Sequence, residues 1–388
     1  MIDIESSRIY CVIMRAGTSK GIFIHEKDLP KDPDARDKIL LSIFGSPDPR
    51  QINGLGGADV LTSKLAIVGP ALHPDADVDY TFGQVAINEP KVHYSGLCGN
   101  ISSGVAPFAI EEGLVRAVEP VTKVRVYSTN TGQIFTSDVP VYHGKPRVTG
   151  DYSIDGVPGT GARINIDMSG TAGSIKGKLL PTGKVKDSLK LKGLGDIDIS
   201  IVDVVNPCIF VKARDVGLTG DESPSEFNRN SEALDVFEKI RAIGAGLMGI
   251  NNTKEVMEKD PRPFVSFVSP PKTYKSHLTG KKIPGYSVNL LARAMMLLGT
   301  TRVMHQAYPG SITVVTGAAA VIPGTVVNEV AGLKTKHQLI KIGHPAGIIE
   351  IEAAVEADKG NKYRLTRATY SRTARRIMDG YVYIPRNA

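Results

Sequence analysis

Two side chains in this sequence combine reactive chemistry with a setting that would activate it. Cys98 stands in Ser95-Gly96-Leu97-Cys98-Gly99-Asn100, where a helical pattern begins. A thiol at a helix N-terminus feels the positive end of the dipole, which favours the thiolate. The first-turn N–H groups of Gly99 and Asn100 could hold a carboxylate. The stretch therefore reads as an acid–base cysteine beside an anion pocket, with a buried structural thiol as the alternative. Lys64 opens the apolar run Lys64-Leu65-Ala66-Ile67-Val68, behind the glycine-dense Gly54-Leu55-Gly56-Gly57-Ala58-Asp59. Partly buried there, a lysine could lose its proton near neutral pH and act as a base; facing solvent, it would not.

Other candidates are weaker. Gly17-Thr18-Ser19-Lys20 offers hydroxyls and backbone donors in a turn, a carboxylate cradle of common composition. Gly310-Ser311-Ile312-Thr313, at the start of a second apolar helix, follows the same logic. Asn206-Pro207 interrupts a strand and reads as a substrate amide contact or as a bulge. Gly156-Val157-Pro158-Gly159-Thr160-Gly161 has the wrong spacing for a dinucleotide fingerprint, and there is no Walker or HExxH motif. His305 has no partner at metal-ligand spacing, so no metal is expected.

The elements that must position these residues follow from pattern. Ile9–Met14 and Gly21–Ile24 read as strands joined by a polar turn. Asp32 and Pro33 open a helix that Gly45 closes, with Ile39, Leu40, Ile43 and Phe44 on one face. Residues 63–68, 77–82 and 91–94 alternate as strands, and a buried helix runs from Cys98 to near Gly113. Residues 115–170 alternate short β-like runs with turns. Gly173–Gly193, rich in lysine, reads as a solvated connector and places a domain boundary there. A strand over Ile197–Val205 follows. A helix starts at Ser231, with Leu234, Val236, Phe237, Ile240, Ile243 and Leu247 expected inward. Another helix is expected over Ser287–Leu298, and an apolar one from Ile312 to Ile322, stopped by Pro323-Gly324. Tyr381–Ile384 reads as a last strand. The two halves share one plan of strands, a turn of small residues and an apolar helix, without a sequence repeat.

Composition bounds the class. The 388 residues are 41% hydrophobic and 22% charged, which suits about two globular domains. A net charge of +7 suits anionic small molecules but is too weak to argue for nucleic acid. No run of 18 apolar residues suggests a membrane span. The first ten residues do not read as a signal peptide. The cysteines, Cys11, Cys98 and Cys208, are three and far apart, which argues against a disulfide framework or a zinc site. A cytoplasmic protein is expected.

Taken together, Arg15–Gly21, Gly54–Asp59, Thr62–Lys64, Tyr94–Ser102, Gly177–Gly183, Asn206-Pro207, Ala292–Met295, His305–Ala307, Pro323–Thr325, His344-Pro345 and Arg372–Arg375 resemble the PrpF family. That family holds 2-methylaconitate isomerase, 3-methylitaconate Δ-isomerase and 4-oxalomesaconate tautomerase, on the diaminopimelate-epimerase fold. The resemblance implies an α+β protein of two similar domains, each a β-rich roll around a central helix, with the site in the cleft between them. The domains would be 1–188, joined by a last strand at 377–388, and 189–376.

By the family's pattern, Lys64 and Cys98 are the catalytic pair. Ser19, Gly56, Gly57, Gly99 and Asn100 would bind carboxylates, as would Asn206, Arg293, His305 and Ser311 from the second domain. The implied partner is a small unsaturated polycarboxylate, with no cofactor, nucleic acid or membrane, and a homo-oligomer is possible. Amino-acid epimerases of this fold use a cysteine at each central helix. Here the second helix begins Pro309-Gly310-Ser311, which favours lysine–cysteine chemistry. The alternatives are an amino-acid racemase of the same fold and a non-catalytic accessory to an aconitase-like enzyme.

Overall fold

The computed structural model describes residues 5–94, 96–250, 252–253, 262–298, 301–358 and 362–385. Ser95 of the Tyr94–Ser102 stretch and residues 386–388 of the expected last strand lie outside them. The architecture is α+β, dominated by strands with few helices. The chain divides into two compact units, residues 1–166 with 371–388, and residues 167–370.

In the first unit, β1 (Ser6–Ala16) and β2 (Ser19–His25) form an antiparallel hairpin across the turn at Gly17 and Thr18. The return strand, Ala374–Pro385, pairs antiparallel with the outer edge of β1. On the other side β2 runs parallel to β3 (Lys64–Pro70), which pairs antiparallel with β4 (Val78–Val85). The short β5 (Val92–His93) pairs antiparallel with β4 at Gln84 and Val85.

Side-chain alternation gives this sheet two buried faces. Ile22, Ile24, Leu65 and Ile67 form one core with helix α1 (Pro33–Phe44), through Leu40, Ile43 and Phe44. The expected ends of α1 are found. Asp32 accepts from Ala35 N at 2.8 Å, a cap worth ~1 kcal/mol, and Gly45 closes the helix at φ 72°. The opposite face, including Phe23, carries helix α2 (Gly99–Glu111), buried from Gly99 to Ile110. Gly104 brings α2 close: a Cβ there would stand 2.7 Å from Phe23 Cζ and 3.1 Å from Ala16 Cβ. The rings of Phe23 and Phe108 lie 5.7 Å apart.

In the second unit, β6 (Gly195–Val204) and β7 (Asn206–Lys212) form a tight antiparallel hairpin. β7 runs parallel to β8 (Phe264–Ser269), which pairs antiparallel with β9 (Leu290–Leu298). Helix α3 (Ser231–Leu247) packs Phe237 and Ile240 into the core with Ile209, Val211, Val265 and Phe267. Helix α4 (Gly310–Val321) is buried along its whole length.

Three expectations are corrected here. Residues 290–298 form a strand, not the helix expected over Ser287–Leu298. Leu290 to Met295 are buried on both faces, so the run has no alternation, and its Leu, Ala and Met content follows helix propensity instead. Ile243 and Leu247 of α3 are exposed at 37% and 42%; Gly244 and Ala245 take the inward positions. The lysine-rich stretch 173–193 is no open connector. It carries the strand Asp187–Leu191 and buries Leu179, Leu180, Leu189 and Leu191, while its lysines face out.

Candidate active site

In the first unit the candidate residues gather at the start of α2. Cys98 is the N-cap, with extended backbone (φ −100°, ψ 105°) and no side chain capping the turn. The helix has no acidic residue in its first turn, and its first intrahelical bond is Ser102 N to Cys98 O at 2.9 Å. The Cys98 side chain is half-buried, whereas Cys11 and Cys208 are buried. Burial pushes the Cys11 thiol up to about 11, and Cys208 is raised for the same reason. Both are therefore poor acid–base groups.

Lys64 is brought to the same place by register. Gly21, Lys64, Gln84 and His93 are directly paired neighbours across β2, β3, β4 and β5. Residues paired in this way share a face. At Gly21 that face meets α2, since a Cβ there would stand 2.8 Å from Ile101 Cδ1, in the helix's first turn. Lys64 is thus on the side of the sheet that the start of α2 covers.

Lys64 is 8% exposed. Its Nζ donates to Gln84 Oε1 at 2.7 Å and lies 5.4 Å from the Phe82 ring centre. No ion pair is made by Lys64 among the described residues. Ser19, two residues before Gly21, is 3% exposed on the same face, and its hydroxyl has no hydrogen-bond partner among the described residues.

The other first-unit candidates divide. The Asn100 side chain is already used. Its Oδ1 accepts from Thr18 N at 3.4 Å and from Arg372 Nε at 3.1 Å, and its Nδ2 donates to Thr18 Oγ1 at 3.0 Å. What Asn100 can offer a carboxylate is therefore its backbone N–H. Arg372, 3% exposed, adds a buried cation at this turn. Gly56 and Gly57 serve the loop's own packing. Gly56 N donates to Phe44 O at 3.2 Å. A Cβ at Gly56 would fall on Gln51, and one at Gly57 on Thr62. Gln51, buried, ties this loop to β3 by accepting from Ala58 N and Ser63 Oγ, both at 2.7 Å.

Asn206, Arg293, His305 and Ser311 belong to the second unit. Asn206 is 4% exposed with Oδ1 unpartnered among the described residues, and it follows Val205 at φ 61°. A β-branched residue in that region is strained, and such strain gathers at functional positions. Ser311 is buried in the first turn of α4, whose N-cap, Pro309, gives no side-chain cap. His305 is half-buried, and its Nδ1 accepts from Ala307 N at 3.0 Å. Arg293 is 1% exposed. Its guanidinium donates to Glu222 O (3.0 Å), Ala292 O (2.9 Å) and Gly343 O (3.2 Å), and its centre lies 5.5 Å from the Tyr274 ring. Burial lowers its pKa to about 10.

Gln84 and Arg372 were not singled out from sequence. Arg372 lay in a stretch matching the family, but nothing marked its contact with a helix 272 positions away. Gln84 is one polar residue in a strand, and only the register reveals its partner. Among the described residues, no group of three or more His, Cys, Asp or Glu could hold a metal ion, and no helix is long and apolar enough to cross a membrane.

Comparison with known proteins gives this geometry a context. Residues 6–385 match the family model described as PrpF protein. Over 382 residues the chain is 53% identical to a 3-methylitaconate isomerase of Eubacterium barkeri, covering 98% of each chain. A 2-methyl-aconitate isomerase of Shewanella oneidensis is 38% identical over 393 residues, covering 98% of this chain and 97% of that one. A crystal structure of methylitaconate-delta-isomerase aligns at TM-score 0.86 with 52% identity, over 98% of this chain and 97% of that chain.

Proposed function

The chain belongs to the PrpF family, and from that premise we propose that it isomerises an unsaturated di- or tricarboxylate by moving an allylic proton, with Lys64 and Cys98 as the acid–base pair. It is an isomerase of unsaturated carboxylates, as its curated relatives are. The observation that carries the residue assignment is the strand register that turns Lys64 toward the start of α2, where Cys98 is the N-cap.

We take 3-methylitaconate as the first substrate to test, on the 53% identity. Its C3 hydrogen is both allylic and α to a carboxylate. Neutral Lys64 removes that proton, and the electron pair spreads over the allyl system and the conjugated carboxylate. The first-turn N–H groups of α2 and the Arg372 guanidinium stabilise that charge. Cys98 then delivers a proton to the terminal methylene carbon. The product is the isomer with the double bond between the two carboxylate-bearing carbons. Lys64 has gained the proton that Cys98 has lost, and exchange between them or with solvent restores the pair. In the reverse direction the roles swap. No cofactor enters this scheme.

The proposal keeps Ser19, Gly99 and Asn100 as carboxylate contacts, with Asn206, His305 and Ser311 as candidates in the second unit. It gives each unit one central helix whose N-terminus carries no side-chain cap, α2 and α4. Arg293 is assigned to holding its own unit together, because its Nε and Nη1 donate to three backbone carbonyls of that unit.

The test is proton NMR in D₂O with methylitaconate, 2-methylaconitate, cis- and trans-aconitate and oxalomesaconate. A new isomer carrying deuterium at the allylic carbon supports the reading and names the substrate. Exchange with an α-amino acid instead would move the chain to a racemase chemistry. No exchange with any of them would favour the accessory-protein alternative.

A further inference from the structure

We propose that Gln84 is a positioning residue for Lys64: its amide fixes the Nζ toward the start of α2 while offering it a neutral partner. This rests on the reading of Lys64 as the base, and Gln84 has no part in that reading itself.

The geometry is specific. Gln84 Nε2 donates to Ser63 O at 3.0 Å. A backbone carbonyl can only accept, so it fixes which end of the amide points where. The oxygen end is left facing Lys64, and Nζ donates to it at 2.7 Å. The Ser63 carbonyl belongs to the residue before Lys64, so the amide spans the base and its own backbone. An amine that gives one N–H to Gln84 keeps its lone pair for a substrate C–H. It is held in one place, and near-attack geometry depends on that.

The neutrality of the partner matters equally. A carboxylate at this position would favour the ammonium form over the free amine that a base requires. The charged or titratable groups on the elements around Lys64 are Lys20 and His25 on β2, Asp59 in the loop before β3, Asp79 and Tyr80 on β4, His93 on β5, Cys98 and Glu111 at the two ends of α2, and Arg372 beside Asn100. The three carboxylates among them are engaged elsewhere: Asp59 accepts from Leu61 N at 2.7 Å, Asp79 from Leu72 N at 3.3 Å, and Glu111 bonds to Arg376 at 2.7 Å. His93 is Gln84's strand partner, and burial and Lys91 push its pKa down, which disfavours its cationic form.

The experiment is a set of pH–rate profiles of kcat and kcat/KM for wild type, Gln84→Glu, Gln84→Met, His93→Gln and Lys64→Ala, with the thermal midpoint of each. In Gln84→Glu the acid limb should move to higher pH by about one unit or more, the scale for an adjacent opposite charge. In Gln84→Met, kcat should fall about tenfold or more with KM nearly unchanged, the signature of a mispositioned base. In His93→Gln the limb should stay in place.

The proposal is overturned if Lys64→Ala is inactive while folded Gln84→Glu keeps the wild-type limb, or if the limb follows His93 instead. Wild-type turnover in Lys64→Ala would remove the base itself, a separate failure that takes Gln84 with it. If Gln84→Glu does not fold, Gln84→Met decides: unchanged kcat refutes positioning.

Discussion

Asn100 occupies the space that a side chain on Gly17 would need. A Cβ built on Gly17 falls on Asn100 Oδ1, the atom that accepts from Thr18 N and Arg372 Nε. Gly17 also turns the β1–β2 hairpin at φ 55°, where an L side chain costs roughly 1–2 kcal/mol. One glycine therefore fixes the hairpin, the first turn of α2 and the return strand together. Gly17→Ala should lower the thermal midpoint and reduce kcat. Adding Asn100→Ala relieves the clash and should recover part of the midpoint but not the activity, because Thr18 and Arg372 lose their shared anchor. A Gly17→Ala protein with wild-type melting and kcat would show this packing to be unimportant.

Removing either member of the acid–base pair should be severe. Cys98→Ser and Lys64→Ala are each expected to cut kcat by at least ~100-fold, the usual scale for losing a general acid or base. Both are half-buried or buried without ion pairs among the described residues, so melting should change little by comparison. Steady-state kinetics with the substrate found by NMR checks this, and near-wild-type rates in both variants would end the assignment.

Ser19 gives a prediction in which stability and binding move in opposite directions. Its buried hydroxyl has no partner among the described residues, and an unsatisfied hydroxyl costs about 1–3 kcal/mol in the free protein. Ser19→Ala should therefore melt at the same temperature or higher. If substrate carboxylate is the missing partner, KM should rise severalfold with a smaller effect on kcat. A higher midpoint with an unchanged KM would make Ser19 a packing residue.

Arg293→Ala should behave as a core defect. It leaves three carbonyls without their donor, each unsatisfied group costing about 1–3 kcal/mol, and it opens a cavity against Tyr274. The thermal midpoint should fall by several degrees, while KM of the protein that remains folded should be close to wild type. A raised KM at an unchanged midpoint would return Arg293 to substrate binding.

These contrasts show what was legible before the structure. Cys98 at a helix start, the ends of α1 and the strand carrying Lys64 were all visible, because caps and alternation are local signals. Asn100 stands out for its place at a helix start and Arg293 through the family resemblance, yet both bond to partners far away in sequence, 82, 272, 71 and 50 positions distant. Gln84 depended on register, which pairs positions that no local pattern links. The strand over Leu290–Leu298 was missed for a related reason. Burial on both faces erases the period that separates strand from helix.

The far end of α2 sets a limit on acid stability. Arg376, on the return strand, bonds to Glu111 at 2.7 Å, to Asp379 at 2.5 Å and to Glu112, which also meets His25 Nε2 at 2.9 Å. Burial pushes the Glu112 carboxyl up, but hydrogen bonds from His25 and Arg376 outweigh it and hold its pKa below the usual carboxylate range. A carboxyl depressed in the folded state stabilises the fold above its unfolded pKa of about 4.3. That contribution disappears as pH falls from there through the lower folded value. Glu352 and Glu329 are depressed in the same way, by His337 with Arg367 and by Lys186 with Lys212. The thermal midpoint should therefore be flat from neutral pH to about 5 and drop below about 4. In Glu112→Gln it should start lower at pH 7 and lose less on acidification, since the titrating group is gone. Parallel pH–melting curves for wild type and Glu112→Gln would mean that this cluster does not link the return strand to α2 energetically.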